Sequence, residues 1–248
     1  MGLMDALLSF QGEGLGYKIV QRICDIAGSV LVLTLTAPLF LVIAIMIKID
    51  SHGPILYKPE RIGRNRRRKG HYHYTGNERR EKDSFGQPFV FYKFRTMYAD
   101  AKERFPELYA YNYSQEELAT LPTKILVGQK DNPKDFNDPR ITCCGRWLRK
   151  TSLDELPNFI NVLKGDMHLV GPRPDIIEHI KYYSEKHLEI LSVKPGVTGL
   201  AQINGRGRLS FLQTNDYDLE YVKNRSLKLD VKIMLKTIIV VFKSDGAL

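Results

Sequence analysis

The sequence predicts a predominantly helical α/β protein attached to a membrane, and three observations carry that expectation. A run of 22 residues from Ile26 to Ile47, IAGSVLVLTLTAPLFLVIAIMI, holds no charge and is long enough to cross the hydrocarbon core of a bilayer as a helix. Near the C-terminus, LKLDVKIMLKTIIVVFKS places Lys228, Lys232 and Lys236 on one helix face, while Leu229, Ile233, Leu235, Ile239, Val240 and Phe242 cover much of the rest. Between them lie polar segments with helical periodicity and one short aromatic and β-branched stretch, FVFYKF at Phe89 to Phe94.

The 248 residues suffice for one large or two small domains with a substantial core. A formal charge of +9 calls for an anionic partner: nucleic acid, an acidic membrane surface or a phosphorylated substrate. Nucleic acid explains the charge but not the apolar run. Cys24 and the adjacent Cys143 and Cys144 suit neither a zinc site nor a disulfide framework, and read as reduced thiols facing the cytosol.

The apolar run is too long for a cleavable signal peptide, and no small-residue cleavage motif follows it. Pro38 sits near its middle, where the missing N–H and the ring predict a kink. Lys18 and Arg22 precede it; Lys48, Lys58, Arg61, Arg64 and RRRK at 66 to 69 follow. Both flanks therefore read as cytoplasmic, which a hairpin returning to the same leaflet satisfies. Hydropathy alone leaves an ordinary kinked span equally open.

Residues 60 to 87 are polar and glycine-punctuated and predict a loop, in which His71 and His73 form a weak metal pattern. FVFYKF predicts a short strand, 99 to 137 a helix, loop and helix, and Asp138-Pro139 a turn. Amphipathic helices are expected at 155 to 164 and 175 to 191, followed by the glycine-punctuated PGVTGLAQINGRGR at 195 to 208. No internal repeat appears, and no glycine-rich loop follows a strand, which disfavours Rossmann and P-loop readings. The C-terminal lysine stripe suits a helix lying among lipid headgroups, or else a core-facing helix with a solvated face.

The chemistry concentrates in TSLDELPN at 151 to 158. Ser152 and Glu155 match a capping box, but Pro157 would then fall at the fifth helical position, at a cost of about 3 kcal/mol. A helix starting at Asp154 puts Pro157 in the first turn and both carboxylates at the N-terminus, with side chains about 100° apart. The helix dipole, Arg149 and Lys150 all favour ionised carboxylates there, fit to act as nucleophile or metal ligand. Mg²⁺ takes only one or two carboxylates and completes its shell with water and phosphate oxygens, so one dyad suffices for a metal–diphosphate site. Arg149, Arg173 and Arg95 supply planar donors that match phosphate, and Arg173 is stiffened between two prolines. Capping with surface ion pairs is the competing account of the same residues.

Five blocks resemble the bacterial sugar transferases of the monotopic phosphoglycosyl transferase superfamily. They are GPILYKPERIG at 53 to 63, FYKFRTM at 91 to 97, DPRIT at 138 to 142, GRWLRKTSLDELPNFINVLKGDMHLVGPRP at 145 to 174 and KPGVTGLAQINGRG at 194 to 207. The resemblance implies a monotopic membrane protein with an N-terminal re-entrant helix broken at Pro38, interfacial amphipathic helices and a small globular domain on the cytoplasmic leaflet of the bacterial inner membrane. It divides the chain into a tail at 1–17, the re-entrant helix at 18–50, a catalytic domain at 51–226 and an interfacial helix at 227–248, the short single-domain form of the family.

The activity implied is transfer of a sugar-1-phosphate from a UDP-sugar to undecaprenyl phosphate, releasing UMP, as a first membrane step of polysaccharide synthesis. Asp154 would be the nucleophile and Glu155 the Mg²⁺ ligand. Arg149, Arg173 and Arg95 would meet phosphate oxygens, with Lys93 and Arg206 as further candidates. Anionic phospholipid is an expected partner, nucleic acid is not, and a homo-oligomer is left open. Pro59, Ala37, Asn158 and His168 depart from the family's usual glutamine, serine, glutamine and serine, and none of them touches the dyad. Against this stand a non-catalytic membrane adaptor that holds anionic lipid or polysaccharide, and a glycosidase, whose two carboxylates must flank a bond as adjacent residues do poorly.

Overall fold

The structure, a computed structural model, describes residues 14–65, 86–109, 112–123, 138–205 and 207–242. It is mostly helical, and it opens on α1, a helix of 36 residues from Leu15 to Asp50. The helical backbone runs through Pro38 without interruption, so the break expected there is not a gap in secondary structure. Tyr17, Gln21, Asp25 and Ser29 share one face of α1, and Ile43 and Ile47 continue the buried stripe. Leu15, Ile19, Ile23, Leu31, Leu35, Leu41, Ile45 and Ile49 are exposed, an apolar surface far larger than scattered single residues would give. Among the described residues α1 is the one helix long and apolar enough to cross a membrane.

Both halves of α1 pack on the same body. Near its start, Arg22 donates to the carbonyls of Val162 (2.6 Å) and Leu163 (2.7 Å) at the end of helix α5, Asn158–Lys164. Near its end, Ile43 and Ile47 join Phe94, Cys144 and Leu148 in a buried cluster, and Asp50 accepts from the Cys144 N–H at 2.9 Å. Cys144 and Leu148 belong to α4, Cys143–Thr151. All three cysteines are free thiols, as their spacing implied.

The expected strand at FVFYKF is two short strands. β1 (Leu56–Tyr57) pairs with β4 (Lys93–Phe94), and β2 (Glu60–Ile62) pairs with β3 (Pro88–Val90), both antiparallel. Tyr57↔Lys93 and Glu60↔Val90 keep one register, so the two pairs are a single ribbon interrupted in its middle. Pro59 is the physical reason: it has no N–H for the ladder, and only its carbonyl takes part, accepting from Phe91 at 2.9 Å. β2 also falls inside the stretch expected to be loop; His71, His73 and RRRK lie outside the described residues.

Between 99 and 137 the described parts are the short helices α2 (Ala101–Arg104) and α3 (Gln115–Thr120), with a 3-10 turn at Pro106–Tyr109. The helix expected at 175 to 191 is instead two 3-10 segments, Ile177–Tyr182 and His187–Ser192. Ser184 accounts for the break, because its carbonyl restarts the turn by accepting from His187 while its hydroxyl meets His187 Nδ1 at 3.0 Å. The parallel pair β5 (His168–Val170) and β6 (Gly196–Thr198) leads into α6 (Leu200–Gly205), α7 (Phe211–Asn224) and α8 (Leu227–Phe242). Val170, Val193, Leu200, Tyr221, Val222 and Ile233 form the core there. On α8 the three lysines are exposed as their spacing predicts, interleaved with exposed Val231, Leu235, Ile238 and Ile239.

Candidate active site

The dyad is positioned by a sharp turn. Thr142 caps α4 by accepting the Gly145 N–H at 3.0 Å, and the helix ends at Ser152, whose φ of 60° is the one positive value at a non-glycine among the described residues. Left-handed backbone costs a residue with a Cβ of order 1 kcal/mol or more and persists where the surroundings demand it. Here it redirects the chain into a 3-10 turn at Leu153–Glu155, which carries both carboxylates. The capping box is not formed by Ser152, and the next helix begins at Asn158 rather than Asp154, with Pro157 as the residue before it. Pro157 needs no N–H partner in that place.

Asp154 is 3 % exposed and ion-paired to Lys93 of β4, Nζ to Oδ2 at 2.7 Å. The same ammonium lies 3.4 Å from Glu155 Oε1, which also accepts from Arg173 Nη2 at 2.6 Å. Glu155 in turn pushes the Arg173 pKa upward, holding the guanidinium charged. Arg149 donates from Nε to Thr96 Oγ1 at 2.9 Å, and burial opposes its charge while nearby Asp154 supports it. Asp154, Glu155, Lys93, Arg149 and Arg173 therefore converge, two carboxylates beneath three cations. Removing one member of a buried ion pair costs roughly 3 to 5 kcal/mol because the other charge is left unmatched.

Arg95 does not join them. It is 4 % exposed and spends its guanidinium on the carbonyls of Ser51 (2.7 Å) and His52, fastening the turn after α1. In this structure Arg95 holds backbone and stands apart from the dyad. Gly53 at φ 122° permits the approach, since a Cβ there would strike Arg95 Nη1 at 2.6 Å. Arg206 lies outside the described residues.

Three acidic residues escaped the sequence reading. Asp138 and Arg140 form a fork, Nε to Oδ1 at 2.9 Å and Nη2 to Oδ2 at 2.7 Å. Burial pushes the Asp138 pKa up, but the Arg140 hydrogen bonds outweigh it and the carboxyl stays below its usual range. Asp-Pro-Arg, which marks a turn and belongs to one of the five resembling blocks, is the sequence signal for this fork. Asp25, buried in α1, accepts from Leu169 N–H at 2.8 Å and meets His168 Nδ1 at 2.6 Å. Asp230 of α8 was likewise passed over. A carboxylate beside or within an apolar helix is itself a signal of a specific partner.

Among the described residues no group of three or more His, Cys, Asp or Glu could hold a metal. The adjacent carboxylates still fit Mg²⁺, a hard cation that needs few protein oxygens when a diphosphate supplies others.

Fold and site define a mostly helical protein whose apolar-faced N-terminal helix packs beside a carboxylate dyad ringed by cations. The chain belongs to the bacterial sugar transferase family, whose profile matches residues 16–244. It is 37 % identical over 233 residues to an undecaprenyl-phosphate galactose phosphotransferase of Salmonella typhimurium, covering 93 % of this chain and 42 % of that protein. To a UDP-glucose:undecaprenyl-phosphate glucose-1-phosphate transferase of Escherichia coli it is 33 % identical, covering 93 % of this chain and 42 % of the relative. The chain thus spans less than half the length of these two. It covers 88 % of the exopolysaccharide production protein ExoY of Rhizobium meliloti, at 34 % identity over 229 residues.

Proposed function

We propose that the protein transfers a sugar-1-phosphate from a UDP-sugar to undecaprenyl phosphate, releasing UMP. The observation that carries this reading is the buried Asp154 carboxylate paired with Lys93, with Glu155 beside it in the grip of Arg173. A carboxylate oxygen of Asp154 attacks the sugar-linked phosphorus; an O–P bond forms, the bond to UMP breaks, and UMP leaves with the electron pair. A phosphate oxygen of undecaprenyl phosphate then attacks the same phosphorus, and the Asp154 carboxylate is the leaving group. Lys93 and Arg149 hold the nucleophile and present positive charge to the transferring phosphoryl group, while Arg173 offers its planar fork to phosphate oxygens. Glu155, next to Asp154, is the residue that would hold Mg²⁺, which when bound neutralises charge on the diphosphate.

Membrane attachment places this centre where the acceptor phosphate is, and what supports a one-leaflet arrangement is the packing of α1. Tyr17, Arg22 and Asp25 near its start and Ile43, Ile47 and Asp50 near its end all hold to one folded domain. A helix crossing about 30 Å of hydrocarbon would carry those two sets to opposite faces. The exposed lysines and aliphatics of α8 suit the headgroup region of the same leaflet.

The test is UMP release from a panel of UDP-sugars, with and without undecaprenyl phosphate. Without acceptor, one sugar-phosphate per enzyme should become protein-bound with one UMP freed, and acceptor should discharge it. No UMP from any donor would leave a membrane adaptor as the reading.

A further inference from the structure

Arg149 joins the dyad with one of its nitrogens already committed. Its Nε donates to Thr96 Oγ1 at 2.9 Å, and among the described residues no other hydrogen bond holds the guanidinium. A guanidinium grips phosphate along one of two edges, Nε with Nη2 or Nη1 with Nη2. With Nε spent on Thr96, the Nη1–Nη2 edge is the one left for a ligand.

Thr96 is itself held fast, and it is only 7 % exposed. The Thr142 N–H donates to its carbonyl at 3.1 Å, and Gly145 packs so close that a Cβ there would stand 2.0 Å from the same oxygen. Gly145 and Arg149 are four residues apart on α4 and so lie on one face of that helix. On either side of Thr96 the backbone is tied down as well. Arg95 N–H donates to Ile55 at 2.9 Å, Met97 bridges Ile141, and Tyr98 N–H donates to Arg140 at 3.0 Å. The side chain adds the stiff χ1 of a β-branched residue. A hydroxyl that only satisfies a neighbouring donor contributes to stability and no more. Here the donor is an arginine of the phosphoryl-transfer site, where a displacement of about 1 Å can cost about 100-fold in rate.

We propose that Thr96 is a positioning residue: by accepting from Nε it fixes the rotation of the Arg149 guanidinium, so that the Nη1–Nη2 edge faces the substrate phosphate. Thr96 acts through Arg149 and touches no substrate, and its role rests on the phosphoryl-transfer reading of the dyad.

The experiment is a double-mutant cycle on the full chain in detergent, with Thr96→Val, Arg149→Lys and the double variant. Each is scored by kcat/KM for UMP release at saturating undecaprenyl phosphate and by Tm. Thr96→Val keeps the shape and removes the acceptor; Arg149→Lys keeps the charge and puts a methylene where Nε stood. In the native background Thr96→Val should cost about tenfold or more, and in the Arg149→Lys background less than about threefold. Thr96→Ser keeps the hydroxyl and should stay within about threefold of the wild type, although losing a buried methyl lowers its Tm. Activity should therefore follow the hydroxyl and not the Tm. If Thr96→Val does not fold, Thr96→Ala, which also removes the acceptor, takes its place with the same expectation. An equal loss from Thr96→Val in both backgrounds, or a Thr96→Ser enzyme as impaired as Thr96→Val, overturns the inference while leaving the site reading intact. An Arg149→Lys enzyme as active as the wild type overturns the place of Arg149 in the site itself.

Discussion

Tyr17 and Asp230 stand 213 positions apart in sequence and 2.8 Å apart in the fold, hydroxyl to carboxyl. Tyr221 donates to the other oxygen of Asp230 at 2.9 Å, and Gln21 donates to the Tyr17 hydroxyl at 2.9 Å. One carboxyl thus clasps α1, α7 and α8, joining the two helices that carry exposed apolar faces. Burial raises the Asp230 pKa from 3.8 to about 6, and the two tyrosine hydrogen bonds only partly offset this.

The sign of the pH effect follows. Between about pH 4 and pH 6 the folded protein keeps the Asp230 proton that the unfolded chain has lost, so stability falls as pH rises through that window and levels off above it. The total is on the order of 3 kcal/mol. Against Asp230→Asn, which does not titrate, the wild-type Tm should decline from pH 4 to 6 and run parallel above. Parallel curves throughout would remove Asp230 as the titrating group.

Topology gives a second prediction. In a variant lacking Cys24, Cys143 and Cys144, a cysteine at Gly14 should resist an impermeant thiol reagent in spheroplasts and react after lysis. The anchors at Arg22 and Asp25 oppose any route that takes the start of α1 across the bilayer. Labelling in intact spheroplasts would establish a span.

Lys228, Lys232 and Lys236 should contribute to membrane affinity, since they are exposed alongside aliphatic side chains on α8. Replacing all three by Glu should weaken binding to anionic vesicles by about 1 kcal/mol or more per charge, and the effect should shrink at high salt. Unchanged sedimentation with vesicles would return the stripe to an ordinary solvated face.

How much of this was legible depended on whether a residue's partner lay nearby in sequence. Asp154, Glu155, Arg149 and Arg173 stood out because the proline spacing and the charge cluster are local. The lysine stripe was legible for the same reason, as a period of four. The Arg95 clamp is not legible, because its side chain turns toward Ser51 and His52, some 40 positions upstream, and no local pattern records that. Asp25 and Asp230 were overlooked because their partners are remote. The ribbon was read as one strand because Pro59, which interrupts it, lies in the facing strand.

Arg95 and Arg149 should separate in mutagenesis. Arg95→Lys loses part of a two-carbonyl clamp and should lower stability by about 1.5 to 3 kcal/mol. Its donor KM should hardly change. Arg149→Lys keeps charge but not the fork and loses the 2.9 Å contact with Thr96, so kcat/KM should fall by more than its loss of Tm explains. A donor-binding defect in Arg95→Lys at unchanged Tm would restore it to the phosphate site.

The dyad itself makes the sharpest demand. Asp154→Asn keeps the shape and removes the attacking anion, so UMP release and product formation should both fall by several orders of magnitude. Glu155→Gln should be nearly as damaging and lose its response to Mg²⁺, because a carboxamide is a poor ligand for that cation. Lys93→Met leaves the buried Asp154 charge without its 2.7 Å partner, so it should lower both Tm and activity; the two carboxamide changes also unmatch a cation and should lower Tm, but their loss of rate should far exceed what that destabilisation explains. If the carboxylates served only the local fold, Asp154→Asn, which removes a charge while keeping the volume, would work almost normally. A folded Asp154→Asn enzyme keeping more than about a tenth of the activity, a barrier change under about 1.4 kcal/mol, would take Asp154 out of the chemistry.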